Sequence, residues 1–286
     1  MLKKLLKYDM KSVWNVWWIL AVSVLGASVI GAFLLRFFIA NIDNESLALF
    51  SVLGVFLLFF ILFGIIASIA VTQILVYMRF YKNFFTDEGY LTFTLPVSRQ
   101  KLFLSKTLNA LIWTSLHLVL YLVCVFIFLL LAPPSAAEGG FFNPVAFDAI
   151  GSFISNVWEN VGGWLIVYII EGLLLVLLSY TFTVNLIHFC ITMGAVVAKK
   201  LKLLAAIGIY YLVNMGLSFL IQFASIFGFS TIDNGLTILE NNGSPEALRL
   251  FATALVLFIL CLIVAAFSYT VYCITLGKLE RKLNLT

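Results

Sequence analysis

The chain has 286 residues, of which 63% are hydrophobic and only 10% charged, with a formal net charge of +4. A water-soluble domain carries nearer a quarter charged residues, so this composition excludes a soluble surface. The apolar residues also arrive in runs long enough to cross a bilayer, and the fold class they predict is an all-α integral membrane protein with six transmembrane helices.

The first sixteen residues place Leu2, Leu5, Leu6, Met10 and Val13 on the same side of a helix drawn at ~100° per residue as Trp17, with Lys4, Lys7 and Lys11 opposite. That pattern predicts an amphipathic interfacial helix over residues 1–16, its lysines toward anionic lipid headgroups. The apolar run that follows, Trp17 to Ile39, is too long for a signal peptide and has no small-residue cleavage site, so it reads as a retained first span. Arg36 falls near its far end.

The second run, Ser51 to Tyr77, carries Gly64, Ser68 and Thr72 on one face. After it comes the segment 78–106, rich in apolar side chains for a loop: Phe84, Phe85, Tyr90, Leu91, Phe93 and Leu95. A loop facing only water has no use for these, so a protein partner or the membrane surface must cover part of them. Thr86 or Asp87 suits the start of a short helix about residues 86–95, Pro96 ends it, and Ser98 suits the start of the next helix.

The third run, Leu108 to Leu131, has a face of Thr114, His117, Tyr121 and Cys124. The loop 132–163 has two prolines and several glycines, with room for a short helix or for a segment lying across the surface. The fourth run, Trp164 to Met193, carries Thr181, Asn185, His188 and Thr192 on one face. It also holds Glu171, the sole acidic residue well inside a run. An intramembrane carboxylate is a functional candidate by its cost alone, although a wet position near the interface also accounts for it. Arg36 fits either as its partner or as a side chain reaching to headgroups.

In the fifth run, Leu203 to Phe229, Tyr211, Asn214, Ser218, Gln222 and Ser225 share one face. Such polar stripes serve helix packing through interhelical hydrogen bonds, or they line a path for a substrate. A loop at 230–249 precedes the sixth run, Leu250 to Leu276, for which Ser244, Pro245 and Glu246 make a helix start. Asn44-Glu45-Ser46 and Asn242-Gly243-Ser244 match the glycosylation pattern.

Basic residues choose the orientation. Lys3, Lys4, Lys7 and Lys11, then Arg79, Lys82, Arg99, Lys101 and Lys106, then Lys199, Lys200 and Lys202, and finally Lys278, Arg281 and Lys282 make up 15 of the 17 Lys and Arg residues. Only Arg36 and Arg249 fall on the other side. This bias predicts both termini and the segments 78–106 and 199–202 in the cytoplasm, with 132–163 and 230–249 outside.

What is missing also bounds function. The sequence has no zinc-binding His-Glu-x-x-His helix, no glycine-flanked nucleophilic serine and no phosphate-binding loop ending in Gly-Lys-Ser or Gly-Lys-Thr. Cys124, Cys190, Cys261 and Cys273 all lie in or beside apolar runs and predict neither disulfides nor a metal site. All five prolines lie outside the runs, against a transporter built on broken half-helices. His117 and His188 read as buried hydrogen-bonding residues ahead of proton carriers.

Glu88-Gly89-Tyr90-Leu91, then Leu95-Pro96-Val97-Ser98-Arg99 and Lys106, set between the second and third of six spans, resembles the cytoplasmic loop of permease subunits of the type-2 ATP-binding-cassette exporters. The amphipathic basic segment before the first span and the six-span layout resemble that family over the whole chain, as a single permease domain. The resemblance implies a coupling helix in which Asp87, Glu88, Gly89, Tyr90, Leu91, Phe93, Leu95 and Pro96 meet a separate cytoplasmic ATPase. It also implies two ATPase copies carrying ATP and magnesium, a second permease subunit (this chain or a relative), and no cofactor on this chain. It favours Ser68 and Thr72 of the second span, and Tyr211, Asn214, Ser218 and Gln222 of the fifth, as walls of a substrate path. The resemblance gives no role to nucleic acid. A secondary transporter or channel driven by an ion gradient, with Glu171 and the histidines carrying the coupling, is the alternative reading; Glu171, Asn185 and His188 are the candidate intramembrane polar residues.

Overall fold

Hydrocarbon offers no water to unpaired backbone groups, so a chain of this composition must satisfy its amides within each segment, and long helices do so. The computed structural model describes residues 2–40, 48–94, 96–131, 144–198, 200–241 and 246–282. These residues form α1 (Leu2–Ala40), α2 (Ala48–Phe85), α3 (Asp87–Phe93), α4 (Arg99–Leu131), α5 (Pro144–Val161), α6 (Trp164–Val197), α7 (Lys202–Asn241) and α8 (Glu246–Lys282), with no strand among them. Six of the helices, α1, α2, α4, α6, α7 and α8, are long and apolar enough to cross a membrane, and the chain is a six-helix transmembrane protein. The glycosylation matches and the Ser244-Pro245 helix start lie outside the described residues.

Helices outrun the apolar runs that announce them. The segment expected to lie in the interface, residues 1–16, is continuous with the first span in one helix, α1, of 39 residues. α2 carries on past Tyr77 to Phe85, α4 starts at Arg99 ahead of its apolar stretch, and α7 extends through Asn241, so 230–241 is helical. Hydropathy ends where the hydrocarbon ends, whereas a helix ends where its hydrogen-bonding or capping pattern is broken.

The chain divides into two compact units, Met1–Arg79 with Leu108–Glu159, and Phe80–Thr107 with Asn160–Thr286. In the first unit α1 and α2 run antiparallel. The Arg79 guanidinium donates to the Ser12 carbonyl (3.3 Å) at one end, and Ile61 approaches Gly31 toward the other. α4 runs parallel to α1. Val24, Ile65 and Cys124 form a buried cluster from all three helices, joined by Leu25, Ile61 and Phe128. Gly31 lets that cluster close, because a Cβ there would stand 2.7 Å from the Phe128 ring. Nearer the start of α4, the buried rings of Trp17 and Trp113 lie 5.4 Å apart, and the Trp113 indole N–H donates to Asn109 Oδ1 (3.1 Å).

In the second unit α6 and α8 run parallel. Tyr168 donates to the Leu250 carbonyl (2.8 Å), and further along Asn185 Nδ2 donates to Ser268 Oγ (3.0 Å). α7 returns against α6 from a close approach of Gly194 and Ala206. Elsewhere α7 is largely exposed, with Leu212 at 72% and Met215 at 75%. Such apolar exposure is what a helix facing acyl chains or another membrane protein presents.

Candidate functional site: the hairpin between the second and third spans

The segment from Phe80 to Thr107 leaves α2, forms α3 and returns as α4, all within one unit. Its base is aromatic. Phe80, Phe84 and Phe103 are almost fully buried, and the His188 ring of α6 stacks on Phe80 at 4.0 Å between centroids, with Phe103 edge-on at 5.7 Å. Thr107 Oγ1 lies 3.5 Å from His188 Nδ1. His188, at 0% exposure, is thus part of the core that carries the hairpin.

α3 sits on that base through two of its residues. Gly89 is buried against the last turn of α2, where a Cβ would come within 2.9 Å of the Phe84 carbonyl oxygen. The Phe93 ring meets the Phe84 ring edge-on at 5.5 Å. The turn into α3 closes through the Gly89 amide, which donates to the Thr86 carbonyl (2.8 Å), and through the Thr86 hydroxyl, which donates to Lys82 O (2.6 Å). Oriented by its neighbours' donor and acceptor character, the Asn83 amide donates to Glu88 Oε2 (3.2 Å) and accepts from Lys106 Nζ (2.6 Å).

Long basic side chains fasten the hairpin to the ends of other helices. Arg99, at the start of α4, lies over the Phe93 ring at 5.5 Å. Its Nη1 also donates to the carbonyls of Leu279 (3.2 Å) and Glu280 (2.8 Å) in the last turn of α8. Lys202, which opens α7, donates to the Phe85 carbonyl at the end of α2 (3.3 Å). Helix C-termini leave carbonyls without intrahelical partners and carry partial negative charge, so a cation there both satisfies and neutralises them. The hairpin is thereby tied to α2, α4, α6, α7 and α8.

The other face of α3 is open. Leu91 is 69% exposed, with Asp87 and Glu88 exposed beside it one turn earlier. Pro96, after the helix, is exposed as well. Leu95 and the Tyr90 side chain lie outside what the structure describes. The observed helix, Asp87–Phe93, falls within the expected 86–95.

The remaining candidates are scattered over both units. Ser68 and Thr72 do not face open space: they are 4% and 1% exposed, and both point at His117 of α4, Ser68 Oγ at 3.2 Å from Nε2 and Thr72 Oγ1 at 3.1 Å from Nδ1. Gln73 adds a bond to Thr114 Oγ1 (3.1 Å). This is the packing use of a polar stripe, with α2 and α4 hydrogen-bonded across an apolar interface. The α7 stripe is the reverse case. Tyr211 is 69% exposed, Ser218 and Gln222 are exposed, and Asn214 is half-buried with its Nδ2 donating to Tyr210 O (3.0 Å). In α6, Asn185 is buried with its Oδ1 unpartnered, and Glu171 Oε2 is buried without a hydrogen bond. The Cys261 thiol reaches the Glu171 backbone carbonyl at 3.8 Å. Among the described residues, no group of three or more His, Cys, Asp or Glu side chains could hold a metal ion.

No known protein family, no curated protein and no solved structure matches this chain.

Sequence reasoning missed the fastenings of the hairpin. Arg99 and Lys202 are legible as basic residues flanking apolar runs, and nothing in a single sequence tells which helix end each will cap.

Proposed function

We propose that this chain is the membrane-spanning subunit of an ATP-driven exporter in the plasma membrane of a bacterium. It acts as a pair, with a second copy or a relative, and two separate cytoplasmic ATPase subunits carry the ATP and magnesium. Both termini and the α2–α4 hairpin lie in the cytoplasm, following the distribution of Lys and Arg. The observation that carries the reading is an exposed leucine, one turn after two exposed carboxylates, on a short helix whose back is packed on a hairpin fastened to the ends of the spans. A surface knob on a rigid mount suits a socket in a partner, because a push on Leu91 moves helix ends and not a slack loop. Closure of two ATPases on bound ATP then shifts the permease pair between inward-facing and outward-facing states.

The stripe of exposed Tyr211, Ser218 and Gln222, with half-buried Asn214 among them, supports α7 as the wall of the substrate path between the two permeases. Amides and hydroxyls facing lipid alone gain nothing, whereas facing a partner helix or a polar substrate they form hydrogen bonds. The cargo that fits such a wall, aromatic and aliphatic with interspersed hydroxyl and amide groups, is amphipathic. The chain has no catalytic residues of its own in this reading. A second reading, an ion-coupled transporter, draws on the unpartnered buried oxygen of Glu171. It predicts proton- or sodium-dependent flux lost in Glu171→Gln.

Purification from native membranes in mild detergent tests the leading reading. A protein with a phosphate-binding loop is expected to accompany the chain, and Leu91→Ser is expected to weaken that association about tenfold, the loss of ~1.5 kcal/mol for one leucine withdrawn from an interface. Leu91 is exposed in the isolated chain, so the variant keeps its folded yield. Reconstituted chain that transports with no ATPase present overturns the proposal.

A further inference from the structure

α5 has no role in the proposed transport cycle, and its chemistry is distinct from that of the six spans. At ~100° per residue, Phe147, Ile150, Phe153, Ile154, Val157 and Trp158 fall on one face, and Asp148, Ser152, Ser155, Asn156 and Glu159 on the other. The apolar face is bare: Phe147 is 51% exposed, Phe153 68%, Ile154 53% and Trp158 52%. Across the whole segment 132–163 there is no Lys or Arg.

We propose that α5 lies in the membrane interface, its apolar face sunk among acyl chains of the leaflet at the α4–α6 side and its acidic face in water. Connectivity decides the occupant. Val161 and Trp164 are separated by Gly162 and Gly163 alone, so the end of α5 stays within ~10 Å of the start of a span. Gly162 adopts φ +56°, a conformation open to glycine, which breaks the helix there. α6 restarts through bonds from Leu165 N to Gly162 O (3.1 Å) and from Ile166 N to Gly163 O (3.3 Å). Three residues later α6 presents Ile169 and Ile170, exposed at 52% and 60%, to the hydrocarbon. An apolar face tethered this close to a bilayer is buried there with no further partner required. Trp158 sits at the depth where indole rings partition between chains and headgroups.

Charge selects the lipid. Interfacial helices that grip anionic membranes line their polar edge with Lys and Arg. α5 offers Asp148 and Glu159 instead, so the helix binds through its apolar area and fits zwitterionic or neutral headgroups. The charge-based orientation makes this the outer leaflet; the interfacial placement itself holds whichever leaflet it is.

The test is a spin-label scan of the full chain in phosphatidylcholine nanodiscs. Of the four cysteines only Cys273 is exposed, so Cys273→Ala serves as the background. Labels at Phe153→Cys, Ile154→Cys and Trp158→Cys are expected to collide several-fold more with oxygen than with a water-soluble nickel chelate. The ratio should reverse at Ser152→Cys, Ser155→Cys and Glu159→Cys. Neither raised salt nor phosphatidylglycerol should deepen the apolar-side labels. Apolar-side labels shielded from both reagents would mean that a second copy or another protein covers the face, and nickel access on every side would mean a helix standing in water; either result overturns the proposal. Should labelled variants fold poorly, quenching by brominated lipid of the unlabelled chain against Trp158→Phe gives the same decision. A drop in quenching on removing Trp158 is expected, and no change contradicts it. None of these outcomes depends on transport, so the proposed exporter role can fail or stand independently.

Discussion

Replacing Gly194 with leucine is expected to abolish the folded protein, through backbone contact. A Cβ at this position would lie 2.5 Å from the Ala206 amide nitrogen, 2.6 Å from its Cα and 2.7 Å from its Cβ. These atoms belong to the first turns of α7 and cannot swing aside as a long side chain would. The two helices must separate, losing contacts among Cys190, Ile191 and Ala206, all buried at that crossing. Overpacking against movable side chains costs ~1–3 kcal/mol, and rigid backbone places this case at or above the top of that range. Even Gly194→Ala inserts the offending carbon and should lower thermal stability in detergent measurably. Gly208 is the control, since a Cβ there meets nothing within 4 Å. Gly208→Ala should leave stability unchanged or raise it by up to ~1 kcal/mol, because alanine favours a helix over glycine. Equal behaviour of the two alanine variants would contradict the close crossing.

Gly89→Val should uncouple the protein while leaving its spans assembled. Gly89 has an ordinary backbone conformation, since Gly162 is the one glycine with positive φ among the described residues. What it requires is space. A Cβ would come 2.9 Å from the Phe84 carbonyl oxygen and 3.1 Å from its carbon, so α3 must lift off α2. Lifting it parts the Phe84 and Phe93 rings, which are worth about 1 kcal/mol as an edge-to-face pair. The loss is local, because the base of Phe80, Phe103 and His188 does not pass through Gly89. Folded yield should therefore persist with a modest fall in melting temperature. ATP-dependent transport, which on the proposed mechanism passes through the position of Leu91, should fall by orders of magnitude. A variant with full transport would show that the mount of α3 is irrelevant.

The sequence made the spans legible because hydrocarbon imposes a length and a composition that short windows detect. It also located the hairpin and bracketed α3, since Thr86, Asp87 and Pro96 are local punctuation. Where polar residues continue a helix without local punctuation its end is hidden, as with residues 230–241, expected as loop and helical in α7, whereas Ser98 marks the start of α4 at Arg99. Periodicity revealed that Ser68 and Thr72 share a face and that His117 lies on another, yet not that the two faces meet. The α7 stripe, equally periodic, stays exposed except at half-buried Asn214. A single sequence specifies faces; which face meets which depends on packing between residues far apart in the chain. The capping of α8 by Arg99 spans 180 residues and illustrates the same limit.

The claim on which the mechanism turns is that Leu91 touches an ATPase. The direct measurement installs a photo-crosslinking amino acid at position 91 of the full chain in living cells, followed by irradiation and mass spectrometry of the adducts. The account predicts a dominant adduct with a cytoplasmic protein carrying a phosphate-binding loop, formed near that protein's surface groove and reduced in Gly89→Val. Crosslinks confined to lipid, or to proteins on the opposite side of the membrane, would contradict it.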